Sequence, residues 1–192
     1  MKTQLKNISS LNLITGLLLA GIFSRMIPHV PNFTAVGATA LFAGAMLRPG
    51  WLSMALPLMI LWLSDLFLNN GMYKNMYPES YTGWVWMGNI WVYIGFALIV
   101  GIGRLSIKKI GFQNIFVGSL LSSVVFFLLS NFGVWYHSLV WPQTGAGLVG
   151  CYAFAVPYFW NTLAGDLIFS GLIFGVYAYV SERGANLVAE SR

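Results

Sequence analysis

Six apolar runs, none holding more than one charged residue, divide this chain: 11–27, 33–47, 51–68, 84–103, 116–132 and 157–180. A helix that crosses the roughly 30 Å hydrocarbon core of a bilayer needs about 20 predominantly apolar residues. A chain of 192 residues therefore has room for six such crossings and their connections. The breaks carry the residues that stop helices: Pro28, then Arg48-Pro49-Gly50, Asn69-Asn70-Gly71, the basic stretch Arg104 to Lys109, and finally Glu182-Arg183-Gly184. Only 8% of the residues are charged, against about 25% in a soluble domain. These observations predict an all-α membrane protein of six transmembrane helices, forming one integral domain over residues 1–192 with the lipid bilayer as its solvent.

Lys2 and Lys6 ahead of the first run imitate a secretory signal. However, Ser24-Arg25-Met26-Ile27-Pro28 offers no small-x-small cleavage site, so the run reads as a first span. The net charge of +5 does not point to nucleic acid, because the basic residues are scattered at segment ends. With the N-terminus inside, Lys2, Lys6, Arg48, Arg104, Lys108, Lys109, Arg183 and Arg192 share one side, and only Arg25 and Lys74 take the other. That bias places both termini in the cytoplasm. One cysteine and two histidines build neither a disulfide framework nor a conventional metal cage. Walker A, HExxH and GxSxG patterns are absent. The expectation is a protein that is not an enzyme, with no catalytic residue, no metal and no cofactor.

The two sides differ in kind as well as in charge. The inner connections are short and basic. Two outer connections, 69–83 and 133–156, are expected to be long loops rich in aromatics, among them Trp135, Tyr136 and Tyr152, with His137 alongside. Indole and phenol rings favour the headgroup level, yet a belt should decorate both interfaces, so an outward-facing binding site is the sharper reading. His29 and Cys151 read as a loop histidine and a buried apolar thiol.

Three charged residues lie within spans, where each costs roughly 2.5–3.5 kcal/mol: Arg25, Asp65 and Asp166. An ion pair between Arg25 and one aspartate would order the bundle, and a polar floor beneath an outer cavity is the functional reading. Asp65 fits either, while Asp166 leans toward architecture. Asn32, Asn89, Asn131 and Asn161 gather toward the same outer depth, more than interhelical hydrogen bonding alone requires. Gly16, Ala20 and Ser24 form a strip of small residues on the first span, and Gly171 and Gly175 repeat it in the last. Such strips let helices approach closely, either within this bundle or against a partner.

The stretch from Arg25 through Pro28-His29-Val30-Pro31-Asn32-Phe33-Thr34 to Ala45, together with Ser64-Asp65 and Asn161-Thr162-Leu163-Ala164-Gly165-Asp166, resembles a family of uncharacterised bacterial transport-type proteins. That family is itself similar to the substrate-binding S components of energy-coupling factor (ECF) vitamin transporters. The resemblance runs from Arg25 to about Gly175. It implies an S-component-like bundle in the cytoplasmic membrane that captures a vitamin-like small molecule at its outer face. It also implies docking through Gly16, Ala20 and Ser24 to an ECF transmembrane subunit with its ATPases. Two other readings stand beside it: a small proton-coupled carrier or channel using Asp65 or Asp166, and a membrane assembly protein whose outer aromatics grip a partner.

Overall fold

The computed structural model describes residues 2–27, 30–76, 78–79 and 83–190, with side chains between residues 12 and 183. Among these, all regular structure is helical. Helix α1 (Lys2–Phe23) ends in a 3-10 turn, Ser24–Met26, and α2 (Val36–Met46) follows a loop. Helix α3 (Gly50–Phe67) runs through a π-helical segment, Leu68–Tyr73, into a last turn, α4 (Lys74–Met76). Then come α5 (Ile90–Ser106), α6 (Phe112–Tyr136) and α7 (Gly145–Glu190).

The bundle is organised around α2, whose residues from Val36 to Ala45 are all buried. Its sequence, VGATALFAGAM, is apolar or small on every side, and a helix apolar all round belongs in a core. It packs against α1, α3, α5, α6 and α7. The contact with α5 is backbone to backbone: a Cβ added at Gly44 would overlap the Val100 carbonyl, and one added at Gly103 would overlap that of Leu41. Phe42 fills the gap to α7, edge-on to Phe174 at 5.0 Å.

The surroundings of the core are apolar too. Phe112, Leu121 and Leu128 on α6 and Phe154, Trp160 and Leu172 on α7 are exposed, a contiguous apolar cover far beyond what a water-soluble monomer shows. Among the described residues, three helices are long and apolar enough to cross a membrane: Gly50–Met76, Phe112–Tyr136 and Gly145–Arg183. The other three apolar helices, Asn12–Met26, Val36–Met46 and Ile90–Ser106, are shorter.

Several expected boundaries are corrected. The third run does not stop at Asn69-Asn70-Gly71; the helix continues through it. Asn70 there is a clasp rather than a breaker: its Nδ2 donates to Val85 O at 2.8 Å, and its Oδ1 accepts from Val85 N at 2.8 Å. The fourth run begins as irregular chain, residues 84–89, and becomes helix only at Ile90. The long outer loop expected over 133–156 is mostly helix. α6 extends to Tyr136 and α7 starts at Gly145, twelve residues before Pro157, which lies inside the helix. The reason is tertiary. Tyr152 Oη donates to Leu128 O at 2.5 Å and packs on Phe127, so the extra turns of α7 are held against α6.

Candidate functional site

An α-helix rises about 1.5 Å per residue, so the 11 residues of α2 cover only about 16 Å, against roughly 37 Å for the 25 of α6. Where α2 is missing, its neighbours enclose a cavity of about 650 Å³. This lies within the range of roughly 300–1,000 Å³ that small-molecule sites occupy. The segment leading into α2 contributes Pro31, Asn32 and Thr34, and the first turn of the helix adds Val36 and Gly37. Arg25 and Ile27 close one side, and Met72, Tyr73 and Met76 from the end of α3–α4 another. Val92, Phe96 and Ile99 of α5 and Phe126 of α6 make an apolar wall. Thr162 and Asp166 come from α7.

Two carboxylates stand near this space in different states of compensation. Arg25 Nη1 donates to Asp65 Oδ1 and to Ser64 Oγ, both at 2.7 Å, and Tyr93 Oη donates to Asp65 Oδ2 at 2.6 Å. Asp65 is therefore the architectural partner of Arg25: it sits behind the guanidinium and is not among the lining residues. Asp166 is 3% exposed and does line the cavity. Ser123 Oγ donates to its Oδ2 at 2.7 Å, and the Ala38 backbone N–H also donates to the carboxylate. Its Oδ1 lies where a side chain at Gly37 would begin, so any other residue there would displace the carboxylate.

Of the residues expected to bind, Arg25, Asn32 and Asp166 are brought together at the cavity. Asn32 has a left-handed backbone, φ 64°, which asparagine tolerates better than other non-glycine residues. The remainder do not line the cavity. Asn161 Nδ2 donates to Pro31 O at 3.0 Å and fastens the cavity loop to α7. Asn89 caps α5, accepting from Trp91 N at 3.0 Å. Asn131 Nδ2 donates back to Phe127 O in its own helix, and its backbone carbonyl accepts from the thiol of buried Cys151 at 3.7 Å. Trp135 Nε1 donates to Pro142 O at 3.0 Å, His137 Nδ1 lies 3.3 Å from Gly133 O, and Tyr136 stacks on Phe132. Trp135 and Tyr152 close the α6–α7 hairpin, while Tyr136 packs on Phe132 and Trp91 and His137 turns back on its own helix; none of them lines the cavity. His29, Tyr77 and Tyr81 lie outside the described residues.

The small-residue strip divides. Gly16 and Ala20 are exposed on the outside of the bundle, as are Gly171 and Gly175, and a Cβ added at any of these three glycines would meet nothing. Close packing of this strip within the chain's own bundle is thus excluded for Gly16 and Ala20. Ser24 faces inward, donating to Gly21 O at 2.5 Å and accepting from Ala35 N at 3.3 Å.

Reading the sequence missed Tyr93, Ser123 and Gly37, along with the Phe96–Phe126 wall. The available signal for Ser123 was the trio Ser119, Ser122 and Ser123 inside an apolar run, all fully buried here.

Fold and cavity together define a class: an all-helical bundle with membrane-length apolar helices and a small-molecule-sized space at one end. The chain belongs to the family of unknown function DUF6580, whose model matches residues 5–187. No curated protein and no solved structure matches it.

Proposed function

We propose that this protein is a six-span substrate-binding transport protein of the bacterial cytoplasmic membrane, with both termini inside, that captures a vitamin-like small molecule at its outer face for uptake. The cavity at the open end of α2 supports this reading. It is of small-molecule size, mostly apolar, and furnished with a few convergent polar groups, the usual make-up of a binding site. The short helices α2 and α5 and the 3-10 turn after α1 cross the bilayer together with the irregular segments that adjoin them. Non-helical backbone is tolerated at membrane depth where it lines a cavity. Gly16 and Ala20, exposed on α1, suit a partner such as an ECF-type transmembrane subunit with its ATPases. A second reading, a proton-coupled carrier, is favoured by Asp166, which lies deep in the bundle at the cavity.

Sidedness tests the proposal. In a Cys151→Ser background, Thr34→Cys at the cavity should react with a membrane-impermeant maleimide in intact cells. Lys109→Cys, exposed at the opposite end, should react only after permeabilisation. The converse pattern would overturn outer-face capture.

A further inference from the structure

The charges around the cavity do not balance. Arg25 is neutralised by Asp65 at 2.7 Å, and the hydroxyls of Ser64 and Tyr93 complete that pair. Asp166 has no such partner: among the described residues no cation lies within salt-bridge distance of it. The hydrogen bonds from Ser123 and Ala38 fix where the carboxylate sits, but they add no opposite charge. A carboxylate held away from water costs several kcal/mol unless it is protonated or paired with a cation. Gly37 lets Asp166 occupy this position, since any side chain there would collide with its Oδ1. The wall of the same cavity holds two aromatic rings, Phe96 and Phe126, with centroids 5.0 Å apart. Aromatic faces attract cations as well as apolar bodies.

Resting on the capture reading above, we infer that the molecule taken up is a small organic monocation. Its protonated amine, amidine or heteroaromatic N–H lies at Asp166, and its apolar body lies along Phe96 and Phe126. An organic ligand fits better than a bare metal ion. The space is about 650 Å³ and mostly apolar, and among the described residues no three His, Cys, Asp or Glu side chains gather to hold a metal. An alkali ion is the nearest competitor. Ser119 and Ser170 lie one helical turn from Ser123 and Asp166, on the same faces of α6 and α7. Both hydroxyls are fully buried and have no partner among the described residues.

Three probes of one shape and different charge separate these cases: benzamidinium, benzamide and benzoate. Each is titrated into the full-length protein in lipid nanodiscs, followed by thermal shift, with N-methylglucamine chloride as the supporting salt. Benzamidinium should bind with a Kd about tenfold or more below that of benzamide, the factor corresponding to a single modest charge contact, and benzoate should bind least. Asp166→Asn should abolish the preference for the cation while leaving benzamide binding in place. Equal binding of all three, or a preference for benzoate, would overturn the inference and leave capture standing. Silence from all three would also overturn it, while a co-purifying adduct would still support capture. Stabilisation by sodium chloride over N-methylglucamine chloride without any probe, lost in Asp166→Asn, would assign the carboxylate to an alkali ion instead.

Discussion

Asp65→Ala should destabilise the fold by about 3 kcal/mol, read as a shift in the unfolding midpoint when the purified protein is titrated with SDS in mixed micelles. Removing one partner of a buried ion pair typically costs about 3–5 kcal/mol, because the surviving charge stays buried and uncompensated. The lower end applies here, since the Arg25 side chain keeps 19% of its surface exposed, against 9% for Asp65. Two further partners are stranded by the same change: Tyr93 loses the acceptor it holds at 2.6 Å, and Ser64 keeps an arginine with no counter-charge. The double variant Arg25→Met/Asp65→Leu should recover most of the loss, because it removes both charges rather than orphaning one. Full destabilisation in the double variant would show that the pair supplies net stability. An unaffected single variant would show that the pair is screened by water.

A comparable effect is expected where α2 crosses α5. Gly103→Ala and Gly44→Ala should each cost about 3 kcal/mol, the upper end of what overpacking a core usually costs. The obstacle in each case is a backbone carbonyl, Leu41 O or Val100 O, which has no rotamer to move into. The two helices would have to separate along their whole contact, loosening the layer that carries Phe96 and Ile99 into the cavity. Gly101, two residues earlier and on the opposite side of α5, is the control. A Cβ there meets nothing within 4 Å, so Gly101→Ala should instead stabilise α5 by up to about 1 kcal/mol, the helix propensity difference. Opposite signs at 101 and 103 in the same SDS titration would establish the crossing. Like signs would refute it.

How much of this was legible in the sequence depends on the range of the forces involved. The apolar runs located the six apolar helices found among the described residues, because hydrophobicity is a local property. The helix ends were not local. Asn69-Asn70-Gly71 has the composition of a stop, yet Asn70 spends its side chain on Val85, fifteen residues away. Pro157 resembles a first helical residue, yet α7 begins at Gly145, because Tyr152 and Cys151 find partners on α6. In the candidate site, Arg25, Asn32 and Asp166 were visible because charged and amide groups inside apolar runs demand explanation. The pairing of Arg25 with Asp65 rather than Asp166 was undecidable from spacing, since it depends on how α1 meets α3. Trp135, Tyr136, His137 and Tyr152 do not line the cavity because α6 and α7 extend past the expected loop, where Trp135 and Tyr152 tie the hairpin and Tyr136 and His137 pack on α5 and α6. The cavity itself arises from the shortness of α2 relative to its neighbours, a relation between elements that no single stretch of sequence carries.

Native mass spectrometry of the gently purified protein, beside a Val92→Trp variant, bears on the cavity itself. Val92 lines the space and is only partly buried, so an indole there fills the cavity with little disturbance of the core. Wild type should carry one small organic adduct that is released on collisional activation, and Val92→Trp should lack it at an unchanged melting temperature. An adduct that persists in Val92→Trp, or a wild-type protein that carries none, would contradict capture in this cavity.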